Sequence, residues 1–440
     1  MMTNSKNLNV GMLGCGVVGS NVARLLHEDS GDFAARSGAT LTLAKVAVKN
    51  VSVKREHVSS SIITDDALSV VNDPSIDIII EVMGGIEPAR ELLLTAIKNG
   101  KSVITANKAL LGLHGAELFE AADKHGVDLY YEAAVGGAIP ILRPLRESIV
   151  GDHVHRVMGI VNGTTNYILT KMDEEGSAFA DVLKEAQALG FAEADPTADI
   201  EGRDAAAKAA ILAGLAFHTR VTTKDVSCEG ISKISARDVA VAREMDHVIK
   251  LLAIAELTSD QQVSVRVHPT LISRQHPLAS VRNAFNAVFV EAESAGELMF
   301  YGRGAGGAPT ASAVLGDLIA IARNKTSGGE GHGESDYAEI SMAPIDNVRS
   351  RYLIRLDVAD KPGVLATVAQ LFASNSVSIE TVRQSGRGDS AELIVATHSA
   401  PEASLKKTVD SLAKSDVVKK VESVLHIESK IGRASCRERV

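Results

Sequence analysis

The sequence predicts a three-part α/β protein: a parallel sheet covered by helices on both faces, an α+β middle region, and a small C-terminal module. Three observations carry this. A glycine-rich turn, Gly14-Cys15-Gly16-Val17-Val18-Gly19, stands between an apolar run and a helical pattern. Apolar strands then alternate with helical segments to about residue 140. Beyond a polar, glycine-rich stretch at 325–339, strand and helix patterns resume for about eighty residues.

In chain order, residues 8–13 (LNVGML) are an apolar run ending in the glycine turn, and 21–27 have helical apolar spacing, which gives strand, turn, helix. Further strands are expected at 41–48, 76–81, 102–104 and 129–131, with helices around 88–99 and 115–125. From residue 141 the pattern changes to Ala-rich helices near 178–189 and 204–217, interleaved with alternating strands such as 154–161 and 263–267. The stretch KTSGGEGHGESDYAE has no hydrophobic period and reads as a linker, followed from 352 by strand, helix, strand, strand, helix, strand. The expected division is 1–140, 141–324, a linker at 325–347, and an independently folded unit at 348–429. Residues 431–440 (IGRASCRERV) break all periodicity and resemble the translation of a sequencing adapter, so they are set aside. Without their three arginines and one glutamate the net charge goes from −9 to −11.

At 440 residues the chain is long enough for two to three domains. Its 46 Lys and Arg against 55 Asp and Glu are spread without a basic block, which argues against a nucleic-acid partner. The longest nearly apolar run, 205–217, carries Lys208 and is shorter than the roughly 18 residues of a membrane span. Cys15, Cys228 and Cys436 have no disulfide or metal spacing. No membrane partner is expected, and a cytoplasmic location fits. His153, His155, His218, His268 and His276 form no metal-ligand cluster in sequence.

The three glycines match the dinucleotide fingerprint of a Rossmann-type domain. The first makes the tight turn, the second admits the pyrophosphate, and the third lets helix and strand approach, with helix amides facing the phosphates. Gly14, Gly16, Val17, Val18 and Gly19 are therefore candidate cofactor contacts. The second strand ends Val46-Ala47-Val48-Lys49-Asn50, with no carboxylate for the ribose hydroxyls of NAD. Lys49 either meets the 2'-phosphate of NADP or is a solvated loop lysine; NADP(H) is preferred and NAD(H) stays possible. Thr105-Ala106-Asn107-Lys108 follows a strand, at the sheet edge where ligands bind in open α/β folds. In the segment from Gly190 to Lys208, five acids and a lysine crowd a turn leading into a helix, with Asp204 and Lys208 at i and i+4. The apolar residues after Lys208 imply a partly buried ammonium, able to exchange a proton with a reacting alkoxide.

The run from Ala186 through Gly190, Asp195-Pro196, Asp199, Gly202 and Asp204 to Lys208 resembles the homoserine dehydrogenase signature, as do Gly159 to Tyr167 and Thr105 to Lys108. The resemblance implies reduction of aspartate semialdehyde, a small-molecule substrate, with Lys208 as proton donor and Lys108 beside it. Glu193 and Asp204 would bind substrate, which suits an α-ammonium, and Gly190 would face the nicotinamide. The stretch from Glu132 to Pro140 resembles the family's hinge, implying a monovalent cation (Na+) held by Glu132 and the carbonyls of Val135, Gly137 and Ile139. The loop holding Gly306 resembles one that returns to the cofactor. Asp360-Lys361-Pro362-Gly363 opens a module similar to an ACT domain, of ferredoxin-like fold, in which Asp360 and Gly363 would hold an amino-acid effector, with threonine expected. The other reading of that module is a dimerising element, and a homodimer or homotetramer is expected. A non-catalytic nucleotide- and amino-acid-sensing regulator is the alternative for the whole chain; the lysine pair and the acids favour the enzyme.

Overall fold

The computed structural model describes residues 6–331, 333, 338–387 and 390–428. Residues 431–440, expected to be foreign, lie outside the described residues, as do 332 and 334–337 of the expected linker. The chain forms two compact units, each assembled from three segments: up to 157, 206–225 and 285–339 in the first, and 158–205, 226–284 and from 340 onward in the second.

In the first unit, six strands lie in the order β3-β2-β1-β4-β5-β6. They are β1 (Lys6–Leu13), β2 (Ala39–Ala47), β3 (Ile63–Thr64), β4 (Ile78–Glu81), β5 (Ser102–Thr105) and β6 (Leu129–Tyr130). All pairings are parallel. Strand order reverses at β1, where a doubly wound sheet opens its ligand crevice. One face is covered by the helix Val17–Glu28, through Val22 and Leu26, and by the helix Gly307–Ser327, through Val314, Leu318 and Ile321. Residues 78–81 are all buried, which is why this strand reads as an unbroken apolar run rather than an alternation.

The helix expected at 115–125 begins at Lys108. Asn107 caps it by accepting the Leu110 N–H (3.2 Å), and it kinks at His114. Gly112 and Gly115 weaken its pattern in sequence, and the cap restores the start. Two further helices, Ser30–Ser37 and Ala67–Val71, were not evident from periodicity.

In the second unit a sheet runs in the order His247–Leu257, Val263–Ser273, Val418–Ile427, Arg349–Val358, Ser390–Thr397, Ile379–Arg387. The strand expected at 263–267 is longer because Arg266, His268 and Thr270 are buried along with its apolar residues. The last four strands and the helices Val364–Ser374 and Glu402–Ala413 enclose one core around Leu356, Val368, Phe372, Leu405 and Leu412. This is the expected ferredoxin-like order.

That module shares a sheet with the strands before it. Its strand Val418–Ile427 pairs in parallel with Val263–Ser273 (Thr270 opposite His426). Arg355 Nε donates to Asp238 (2.8 Å), and both side chains are buried. A glycine-rich composition signals a linker but not whether the segments beyond it pair. Among the described residues, no helix is long and apolar enough to cross a membrane.

Candidate functional site

The first unit supplies a tight glycine turn at the start of a helix. Gly14 has φ +97°, and a Cβ there would stand 2.8 Å from the Val82 carbonyl oxygen; at Gly19 it would stand 2.6 Å from the Gly14 oxygen. Both positions therefore exclude side chains. At Gly16 a Cβ would meet nothing within 4 Å, so this side of the turn is open. Gly16 caps the helix Val17–Glu28 without a side-chain hydrogen bond, and Val17 is 73 % exposed. The start of this helix is therefore exposed, and a helix N-terminus leaves its first amides without intrahelical partners. Gly307, next to Gly306 (φ +121°), packs so closely that a Cβ would lie 2.7 Å from Val17 Cγ1 and 2.6 Å from Asn21 Nδ2. A second helix N-terminus is thereby brought beside the glycine turn.

Beyond β2, Lys49 is exposed. Arg55, which the sequence reading missed, folds back onto the same turn. Its Nε donates to the Cys15 oxygen (3.3 Å), and its Nη1 donates to the oxygens of Asn50 (3.1 Å) and Val53 (2.7 Å). Only the motif's general need for a cation near a 2'-phosphate could have suggested it. Glu81, fully buried at the end of β4, accepts the N–H groups of Met83 (2.8 Å) and Gly84 (2.9 Å) and the Thr105 hydroxyl (2.6 Å). The Thr105 side chain is thus engaged in shaping the sheet edge.

Lys108 opens the helix Lys108–His125, and Lys208 lies on Arg203–Phe217, where it is 8 % exposed. The helices approach closely at Gly112, where a Cβ would lie 3.7 Å from Ala207 Cα. Backbone contact next to Lys208 brings the two lysine-bearing helices together.

Glu132 is buried and accepts N–H bonds from Ile141 (2.6 Å), Leu142 (2.8 Å) and Arg143 (2.8 Å). Its own N–H donates to Asp317 (2.8 Å), which also receives Arg143 Nη2 (2.5 Å). Burial, reinforced by the nearby Glu132 charge, pushes the Asp317 carboxyl up to about 7. Val135, Gly137 and Ile139 lie in a turn with positive φ at Gly136 and Gly137, and a Cβ on Gly137 would meet the Gly304 oxygen at 2.5 Å.

The second unit supplies a carboxylate pair. Asn162 caps the helix Gly163–Glu175, accepting the Thr165 N–H (2.9 Å). Its Nδ2 donates to Asp199 Oδ1 (2.7 Å) and Asp204 Oδ2 (2.9 Å), so one amide joins two carboxylates. Thr164 Oγ1 donates to the Phe191 oxygen (2.6 Å) and lies 3.1 Å from Asp199 Oδ2. Two like charges held this close favour a cation as their ligand. Asp199 and Asn162 were quoted in the sequence motifs but not singled out. Glu193 is exposed and does not join the pair; its carbonyl accepts Gln187 Nε2 (3.1 Å). Gly190 (φ +75°) ends the turn after Phe179–Ala188, with open space where a Cβ would be.

In the C-terminal module, Gly363 (φ +92°) caps Val364–Ser374 with no side-chain hydrogen bond, and Asp360 accepts Gln384 Nε2 (3.1 Å). Among the described residues, no three His, Cys, Asp or Glu form a metal-binding group.

Comparison with known proteins gives three family matches: "Homoserine dehydrogenase, NAD binding domain" over residues 14–132, "Homoserine dehydrogenase" over 140–319, and "ACT domain" over 352–416. The homoserine dehydrogenase of Corynebacterium glutamicum is 54 % identical over 425 residues, covering 96 % of each chain. The crystal structure of a homoserine dehydrogenase from Thiobacillus denitrificans superposes with a TM-score of 0.92 at 39 % identity, covering 96 % of this chain and 99 % of that one. A hyperthermophilic archaeal homoserine dehydrogenase in complex with NADPH matches with a TM-score of 0.62 at 27 % identity, over 72 % of this chain and 97 % of that one.

Proposed function

The chain belongs to the homoserine dehydrogenase family, and from that premise we propose how its own residues perform the reaction. The reaction is reversible reduction of L-aspartate 4-semialdehyde to L-homoserine, a step toward threonine, methionine and isoleucine. Residues 1–140 bind the cofactor, 141–324 bind substrate and dimerise, and 348–429 regulate, in a homodimer or homotetramer. When bound, the nicotinamide supplies or takes the hydride. Gly16, Val17, Val18 and Gly306 would hold its phosphates, and Gly190 would lie against its ring. Asp199 and Asp204 bind the substrate ammonium, while Glu193, exposed and apart from that pair, would meet the substrate from the open side. Lys208 gives its proton to the carbonyl oxygen as negative charge develops there, and Lys108 adds a second positive charge. The observation that carries this reading is the shared Asn162 amide, which joins Asp199 to Asp204, and Asp204 stands one turn before the buried Lys208.

The hinge fits a monovalent cation. A carboxylate offers about four lone-pair sites, and Glu132 uses three for N–H groups. One remains for Na+, with carbonyl oxygens of Val135, Gly137 and Ile139 as further hard ligands.

NADPH is the expected cofactor, supported by Lys49 and Arg55 at the glycine turn and by the archaeal relative's NADPH complex. Turnover of aspartate semialdehyde with NADPH and NADH, measured in parallel, tests activity and preference together. Lys49→Ala should weaken NADPH binding about tenfold and NADH binding hardly at all, since it removes a partner of the 2'-phosphate alone. Equal losses in fluorescence titrations with both cofactors would reject the assignment.

Threonine is the expected effector, at the turn of Asp360 and Gly363, acting by favouring a less active arrangement. Gly363→Asp puts a charged side chain at φ +92° and into the open space of the turn. It should weaken threonine inhibition several-fold and leave the uninhibited rate near wild type. A full-length enzyme indifferent to millimolar threonine would remove this effector.

A further inference from the structure

Lys250 has no part in the chemistry above, yet it is a lysine only 1 % exposed, on the strand His247–Leu257 of the second unit. Its Nζ donates to Asn166 Oδ1 (2.9 Å) and to the Val281 carbonyl oxygen (2.6 Å), both neutral. Asn166 Nδ2 donates onward to the Asn283 oxygen (2.8 Å) and the Val281 oxygen (3.3 Å). At the next contact, a Cβ on Gly163 would stand 2.9 Å from the Ala284 oxygen. Residues 281–284 are thus pressed against the first turn of Gly163–Glu175, the helix whose cap is Asn162.

Enclosing an ammonium against neutral acceptors opposes folding, and an apolar side chain of similar length would fill the space without that penalty. The fold alone does not call for a lysine here. We propose that Lys250 is a positioning residue: by clamping residues 281–284 onto the helix start, it fixes the Asn162 amide that joins Asp199 and Asp204, and so sets the affinity for the substrate's ammonium. This rests on the assignment of those carboxylates to the substrate.

The same clamp makes substrate binding sensitive to pH. Burial pulls the Lys250 ammonium down to about 8, opposed by the charges of Asp173 and Glu174 and assisted by Arg282 and Arg274. Asp173 is itself bonded to Arg274 (2.7 Å) and approached by Arg243 (3.8 Å), while Glu174 pairs with Arg282 (2.8 Å). As pH rises through 8 the ammonium loses its charge and one donor. The KM for aspartate semialdehyde should climb there, and the KM for NADPH should stay level.

The test measures both KM values and kcat across the pH range bracketing 8 for wild type, Lys250→Met, Asp173→Asn and Asp204→Asn. Lys250→Met should raise the aspartate semialdehyde KM about tenfold, change kcat by less than about twofold, and abolish the pH-dependent climb, the signature of lost uniform binding. A folded Lys250→Met enzyme with wild-type KM and pH profile overturns the proposal. Should Lys250→Met not fold, Asp173→Asn decides: removing that negative charge must move the climb to lower pH, and an unmoved profile overturns the clamp. If Asp204→Asn leaves the substrate KM untouched, the carboxylate assignment has failed instead.

Discussion

Lys208→Ala is expected to lower kcat by about 100-fold or more, a loss of roughly 2.7 kcal/mol in the transition state, while NADPH still binds near its wild-type affinity. The magnitude is that of a lost general acid. Its basis is placement: Lys208 is 8 % exposed, in a helix otherwise apolar around it, and Gly112 of the Lys108-bearing helix sits against the neighbouring Ala207. Water cannot readily replace an acid in so enclosed a position. Lys208→Arg should rescue little, because a guanidinium keeps its proton at any working pH and cannot deliver it. Single-turnover rates with saturating NADPH and aspartate semialdehyde separate this loss from binding. A Lys208→Ala enzyme turning over at near-normal rate would remove the lysine from the chemistry.

What could be read in the sequence was what lies close along the chain. Gly14 to Gly19 and Gly190 to Lys208 are short runs whose chemistry is written in spacing, and the strand-turn-helix and i, i+4 relations follow directly. The Asn162 amide was not legible as a bridge, because its partners Asp199 and Asp204 lie 37 and 42 residues away and only folding joins them. Arg55 was hidden for a similar reason: it reaches back 40 residues from an irregular loop to Cys15. Lys250 shows a different limit. The strand His247–Leu257 is buried from Val248 through Ala255, Lys250 included, and a lysine in a sequence gives no local sign of such burial. The helix start at Lys108 was masked by two glycines of low helix propensity, of which Gly112 allows the close approach to Ala207.

Ending the chain after Asn347 should leave a poorly soluble protein rather than an active, threonine-insensitive enzyme. The strand Val263–Ser273 would lose Val418–Ile427 as its partner at Thr270 and Leu271, including the Glu428 N–H to Leu271 oxygen bond (2.9 Å), and that stretch would become an open edge. The stacked rings of His268 and His426, 3.7 Å apart, would be separated. Most costly is Asp238, 1 % exposed, which caps its own helix through Ser235 and also takes Arg355 Nε (2.8 Å) and the Ser423 hydroxyl. Arg355 in turn donates to Glu392 (2.6 Å), which Arg237 also holds and thereby keeps below the usual carboxylate range. A point substitution isolates this hub from the open edge. Arg355→Met keeps every strand but strands the Asp238 charge, and breaking one side of a buried pair typically costs about 3–5 kcal/mol. Adding Asp238→Asn to Arg355→Met should recover part of that loss, since the orphaned charge is then gone. Denaturant unfolding of the three proteins gives the comparison. If Arg355→Met unfolds at the wild-type midpoint and the shortened chain stays soluble with normal turnover, the module is only loosely attached and the hub contributes nothing to stability.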